Sequence, residues 1–397
     1  MKNHFASLQN HMEMLCQTIG ARPTGSGKNK TAVDYAFEVF QNCGFQTSRQ
    51  EFKCMDWRNS GATLLIDGQN IAVEPAEYSL PCDVEGEFVC LDTVDALQKA
   101  NLSGKIAILH GDLCQEPLMP KNFEFYNPDE HKHIIALLEE KNPKALITVN
   151  PHKEHIIQDG DFNIPCAVVC ENTLDTFLSS TGQKAKLSMK AARIPAKSHN
   201  VIAASGTGRN KICFSAHIDT KPKTPGALDN ASGVSVLLAL AESLSRQKHN
   251  FQEYPFQIEI VLLNGEDYYC TPGEIAYRGR LTSEYNLAVN VDGVGLRNSA
   301  TSVSFYECPN HFENHIMEIA GKIKGIERIE PWPMGDHMMF AAHGIPTIAI
   351  TASTIFSLIG TVIHSPEDDM QNIDLESLEN VVLFLLSCIE MMGISSS

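Results

Sequence analysis

The chain has 397 residues, 43% hydrophobic and 20% charged, an ordinary composition for a folded protein with enough length for two domains. Its net charge of −17 argues against nucleic acid or an anionic membrane as partner, and no run approaches the roughly eighteen apolar residues of a membrane span. The start, MKNHFASLQNHMEM, lacks an apolar signal core, so a cytoplasmic location is expected. Twelve scattered cysteines, many in apolar patterns such as Ile212-Cys213-Phe214, fit buried free thiols in a reducing compartment.

Residues 1–54 read as helix, turn, helix, strand. Phe5, Leu8, Met12 and Leu15 fall at helical spacing over residues 4–19, as do Ala32, Tyr35, Ala36 and Val39 over residues 31–43. The intervening GARPTGSGKNKT is similar to a phosphate-binding loop only superficially. Arg22 stands where the first glycine is needed, Asn29 follows Lys28 where Ser or Thr belongs, and a helix comes before. A glycine-rich connection between helices is the better reading.

Residues 55–195 change texture to short strands and turns: ATLLIDG, EGEFVCLD, KIAILHGD, ALITV and IPCAVVC, with helices expected over 130–140 and 171–179. His131, His133, His152 and His155 stand among Lys and Glu and read as solvated. Cys166 and Cys170, four apart on a strand, read as packing residues.

Beyond residue 196, strands repeatedly stop at an acid or a histidine. The run 212–215 leads to His217, with Asp219 two residues on, a Pro- and Gly-containing loop over 221–226, and Asp229 at the mouth of an apolar helical run over 234–244. QIEIVLL, 257–263, stops at Asn264-Gly265-Glu266-Asp267. The strand 287–291 ends on Asp292-Gly293, and TIAIT, 347–351, is followed by a loop carrying His364 in TVIHSPEDD. In open α/β sheets ligands bind outside the carboxyl ends of the strands, so these groups are expected to meet in one crevice. Imidazoles and carboxylates together suit zinc, manganese or cobalt. HFENH at 311–315 lacks the glutamate spacing of a zinc-protease helix, and no Gly-x-Ser-x-Gly elbow is present. Asp336-His337 in PWPMGDHMMF reads equally well as a neighbour of the site and as a local helix cap. The last helix, 375–392, turns Leu378, Val381, Val382, Leu385 and Ile389 to the core.

HID, GALDNASG, NGED, NVDG and IHSPEDD, in this order, resemble the motifs of the co-catalytic di-zinc aminopeptidases, a family with glutamate carboxypeptidase and glutaminyl cyclase among its relatives. The likeness covers residues 201–397 and the RPTGSGKNK stretch. It implies a doubly wound α/β fold, a mixed sheet with helices on both faces, built from residues 1–54 and 196–397. Residues 55–195 then form an insert whose element order is similar to a protease-associated domain. Carried over motif by motif, His217 and Asp292 hold one metal ion, Asp267 and His364 hold the other, and Asp229 bridges them. Glu266 is the general base, and Asp219 orients His217. A cis peptide at Asp229-Asn230 is also implied. Asp267 stands where the family more often has Glu, so zinc is the expected ion of a pair, with manganese or cobalt as alternatives.

These roles make physical sense. Two divalent cations ~4 Å apart lower the pKa of a water and clamp both the attacking and the developing oxygen. Asp229, Asp267 and Asp292 offset much of their charge. Glu266, pointing away from its neighbour Asp267, stays free to move a proton, and Asp219 is placed to take the second N–H of His217. The expected activity is a metal-dependent exopeptidase acting on a peptide substrate, with release of an amino-terminal residue leading. Carboxypeptidase or dipeptidase action and cyclisation of an amino-terminal glutamine use the same centre. A receptor-like relative without catalysis is disfavoured because every site position carries a competent residue. The insert is expected to shape substrate choice, and a homo-oligomer is left open.

Overall fold

Four apolar runs, Lys211–His217, Gln257–Leu263, Tyr285–Val291 and Thr347–Ala352, form parallel strands in the computed structural model. The structure describes residues 4–151, 155–206, 208–246, 254–359 and 361–394. Their nearly unbroken Ile, Val, Leu and Ala content is what a sheet covered on both faces needs. Thr301–Tyr306 joins antiparallel to Thr347–Ala352 and carries Ile326–Arg328 on its outer side. Residues 201–205 of the strand Lys184–Ser205 pair antiparallel with Gln257–Leu263 on the opposite flank. The sheet is therefore mixed.

From Lys211–His217 the chain steps to one neighbour, Gln257–Leu263, and then returns to the other side to lay down Tyr285–Val291. That reversal is a topological switch point, and it lies beside His217. The helices His4–Glu13, Gly27–Asn42, Ser232–Arg246 and Leu375–Ile394 cover one face, where Leu8, Phe40, Leu237 and Leu385 join the core with Phe214 and Ile260. Pro272–Arg278 and His337–Ala341 cover the other, with Tyr277, Met339 and Phe340 against Cys213, Val261 and Ala288. Met1–Cys54 and Lys197–Ser397 make up this compact unit, and Met55–Ala196 makes up a second.

Helix boundaries differ from the sequence reading where capping intervenes. The second helix starts at Gly27, because the Ser26 hydroxyl accepts the Asn29 N–H. The first, His4–Glu13, passes into a π-helical turn, Met14–Ile19.

In the second unit Cys82–Leu91, Ile106–Leu109, Ala145–Asn150 and Cys166–Cys170 are parallel, each beside the next in chain order, with Glu74–Pro75 antiparallel on the far edge. Texture misled the reading here. Gln46–Ile66 is a single strand of 21 residues where the sequence reads as a strand before residue 54 and a separate ATLLIDG, and Lys184–Ser205, of 22 residues, is a strand that the reading did not include. His131 is buried rather than solvated: it shares the inner face of Asp129–Lys141 with Ile134, Ile135 and Leu138, and its Nδ1 accepts the Met119 N–H. His155 Nδ1 accepts the Glu77 N–H, His133 is exposed, and His152 lies outside the described residues. Cys166 is buried, but Cys170 at the strand end is exposed. All twelve cysteines are free thiols. Among the described residues no helix is long and apolar enough to cross a membrane.

Candidate metal centre

His217 is the last residue of its strand and is fully buried. Its register partner on the adjacent strand is Leu263, so the Asn264–Asp267 loop leaves the sheet at the same level. On the other flank Asn290 pairs with Ser215, which brings Asp292 alongside. His217 Nε2 lies 2.9 Å from Asp229 Oδ1 and 3.5 Å from Asp292 Oδ1, and its Nδ1 lies 3.7 Å from Asp219 Oδ1. His364 Nε2 lies 3.0 Å from Asp229 Oδ2 and 3.1 Å from Asp267 Oδ1. Asp229 thus turns one oxygen toward each histidine. His217, Asp229 and Asp267 each place a ligand atom within 4.8 Å of the other two.

These groups approach one another without satisfying one another. Neither ring nitrogen of His217 and neither carboxylate oxygen of Asp267 makes a hydrogen bond of acceptable geometry among the described residues, although all four atoms are buried. Buried polar atoms are rarely left so. Imidazole nitrogens and carboxylate oxygens aimed at common points fit divalent cations such as zinc.

The electrostatics are those of a dense cluster. Burial pushes the Asp229 carboxyl up, but the contacts with His217 and His364 outweigh it and hold the group well below the usual carboxylate range. Burial opposes charging of His217, yet Asp292, Asp219 and Asp229 together raise it well above an ordinary histidine. The Glu266 carboxyl is driven far up by burial; His217 opposes this, while Asp267, Asp336 and Asp292 add to it.

Residues 200–389 match the sequence profile of peptidase family M28. These residues form an M28 peptidase domain. The chain is 25% identical over 385 residues to aminopeptidase YwaD of Bacillus subtilis, covering 93% of this chain and 80% of that protein. It is also 25% identical over 268 residues to the probable lipoprotein aminopeptidase LpqL of Mycobacterium tuberculosis, covering 63% of this chain and 49% of the relative. The match thus spans about half the length of LpqL. Among solved structures, the zinc aminopeptidase BSAP of Bacillus subtilis superposes with a TM-score of 0.77 at 20% identity, over 98% of this chain and 95% of the other.

Within the M28 domain, loop-to-loop hydrogen bonds aim the site. The Asp368 carboxylate accepts the N–H groups of Leu228 (2.8 Å) and Asp229 (3.1 Å), fixing the approach of Asp229. The Asp229–Asn230 peptide is cis. Asn230 Nδ2 donates to Val291 O at 3.0 Å, tying that turn to the strand leading to Asp292. Gly233 is required here, since a Cβ would collide with Val291 O and the Asn230 amide. Asp219 Oδ1 accepts the N–H groups of Gly265 (2.7 Å) and Glu266 (3.3 Å), and its Oδ2 accepts the Thr24 hydroxyl at 2.9 Å.

Two further buried acids escaped the sequence reading of the M28 domain or were half-read. Asp336 opens the helix His337–Ala341 but makes no side-chain cap, so the capping alternative fails; the side chain is fully buried. Beside it Glu274, 5% exposed, has a carboxyl that burial pushes up to about 8. In the sequence Glu274 looked like any first-turn helix acid, and Asp368 was one of three adjacent acids in SPEDD. Only the fold distinguishes them.

Proposed function

We propose that this M28 chain is a metal-dependent aminopeptidase that hydrolyses the amino-terminal peptide bond. Two divalent ions, with zinc favoured, would be held by His217 and Asp292 on one side and by Asp267 and His364 on the other, with Asp229 shared between them. The observation that carries this reading is Asp229, whose two oxygens face two separate imidazole–carboxylate pairs. The names of both sequence relatives support it. Such ions, when bound, polarise a scissile carbonyl and make water a better nucleophile.

Glu266 stands next to Asp267 in a recess partly open to solvent. It takes a proton from the attacking water and returns it to the leaving amine. Burial raises its carboxyl well above the usual carboxylate range, which makes it a stronger proton acceptor. Asp219 faces His217 Nδ1 at 3.7 Å, where it would orient a metal-bound imidazole, and holds the Glu266 loop by accepting its N–H groups. The insert, similar in element order to a protease-associated domain, selects among peptides.

Metal analysis of the purified chain, followed by assays on end-blocked peptides, tests the reading. Carboxy-blocked peptides with a free amino terminus should be cleaved one residue at a time, and amino-blocked peptides should be inert. The reverse pattern would establish carboxypeptidase action, and a chain that binds no divalent metal would remove the reading altogether.

A further inference from the structure

The segment between the first two helices, which reads in sequence as a bland glycine-rich connection, is built into the floor of the site. Arg22 is a fully buried cation. Its Nε donates to Ile218 O at 2.7 Å, Nη1 to Pro225 O at 2.7 Å and Nη2 to Gly226 O at 3.2 Å, while its backbone N–H donates to Thr220 Oγ1 at 3.0 Å. All four acceptors belong to the loop that carries Asp219 and leads into Asp229. Asn29 exchanges hydrogen bonds with Asn264, 2.9 Å and 3.1 Å, at the base of the loop carrying Glu266 and Asp267. One short stretch, residues 22–29, therefore grips both ligand-bearing loops.

Thr24 sits at the middle of this grip, 2% exposed. Its hydroxyl has one proton and two acceptors in reach, Asp219 Oδ2 at 2.9 Å and Asn264 Oδ1 at 3.3 Å. The nearer acceptor is an ionised carboxylate, which makes the stronger bond. Asp219 is fully buried; its Oδ1 already accepts the N–H groups of Gly265 and Glu266, and the same oxygen faces His217 Nδ1 at 3.7 Å. Among the described residues, Thr24 is the hydrogen-bond donor that reaches Oδ2. We propose that Thr24, seated by the Arg22 anchor, is a positioning residue that locks the Asp219 carboxylate and through it His217, setting how tightly the His217–Asp229–Asp292 position holds its metal ion.

Without that hydroxyl a buried carboxylate oxygen has no donor, a costly state that the group escapes by rotating. Rotation turns Oδ1 away from His217 Nδ1, which it faces at 3.7 Å, and so removes the carboxylate placed to orient the ring toward the metal position. Losing such an outer partner typically weakens metal affinity about 10- to 100-fold.

The inference rests on the metal reading above, and the experiment separates the two. Metal-free full-length chain is titrated with zinc against a competing chromophoric chelator, using the parent, Thr24→Val and Thr24→Ser. Thr24→Val keeps the shape and loses the donor; one zinc step should weaken about 10- to 100-fold, with Thr24→Ser restoring parent affinity. In an Asp219→Asn background Thr24→Val should cost nothing more, because the path runs through that carboxylate. Parent-like zinc affinity in Thr24→Val overturns the inference, as does equal loss in Thr24→Ser or an undiminished loss in the Asp219→Asn background. A parent chain that binds no zinc overturns the metal reading and the inference with it. Thr24→Ala, which only removes atoms, serves if Thr24→Val does not fold.

Discussion

Both units of this chain contain four parallel strands that release polar residues at their carboxyl ends, yet among the described residues only one of them assembles a candidate metal centre. In the catalytic unit the strand order reverses beside His217, so flanking connections leave on opposite sides and open a crevice there. In the second unit the strands Cys82–Leu91, Ile106–Leu109, Ala145–Asn150 and Cys166–Cys170 follow one another without reversal. Asp92, His110 and Glu171 sit at its strand ends, but they stay at least partly in water, with His110 and Glu171 lining a cleft of about 390 Å³. The catalytic unit adds what a sheet alone cannot supply. Asp229 and His364 come from loops, and Asp368, Asp219 and Asn230 aim those loops through backbone hydrogen bonds. Strand ends place candidate groups; burial and loop-to-loop hydrogen bonds aim them at common points.

The contrast is tested most severely at Asp229. Asp229→Asn should lose turnover below detection and bind less metal, because the bridging charge between two histidine-centred positions is gone; undiminished metal content by elemental analysis would contradict the bridging role. Glu266→Gln should cut kcat about 10²- to 10⁴-fold with metal content unchanged, since only proton transfer is removed. A Glu266→Gln enzyme that turns over near the parent rate would place the general base elsewhere. Zinc should also raise the melting temperature of the metal-free chain, by the equivalent of about 2.7 kcal/mol at a hundredfold excess over Kd. No shift in a thermal scan would mean that the crevice is not preformed for a cation.

Glu274 and Asp336 extend the contrast to pH. The Glu274 carboxyl is raised from 4.5 to about 8 by burial. The folded chain therefore keeps a proton that the unfolded chain releases above about pH 4.5. This contribution to stability is complete below that pH and is lost progressively as pH rises toward 8. Glu274→Gln cannot ionise. It should match the parent near pH 4 and exceed it at pH 8 by on the order of a few kcal/mol in urea unfolding. Equal stability at both pH values would show that Glu274 is not held protonated.

The sheet of the catalytic unit and the meeting of the candidate site groups were legible because each central strand is an apolar run with a hard stop at an acid or histidine. QIEIVLL followed by NGED leaves little freedom in where the strand ends, and the structure ends it at Leu263. What could not be read were the groups that act on other side chains. Thr24 and Arg22 lie about two hundred residues from the loop they hold, so the RPTGSGKNK stretch, although part of the family likeness, reads locally as a helix connection and not as a support of the site. Asp336 shows the same limit, since a residue that starts a helix looks like a cap until its side chain is seen to turn inward. In the insert, long strands with polar alternation carry no single apolar run, and His131 hid its helical face behind charged neighbours.

The smallest expected effect is at the insert's own strand ends. His110 and Glu171 flank its cleft, and no group of described residues there brings ligand atoms together as His217, Asp229 and Asp267 do. His110→Ala and Glu171→Gln should therefore leave zinc content and kcat on a short chromogenic amino-acid amide unchanged. If the insert selects peptides, deleting it should alter the spectrum of longer peptides cleaved while the short amide is still hydrolysed. Loss of zinc on changing His110 would mean that the second unit also carries a metal position, and that strand ends without a switch point can build one.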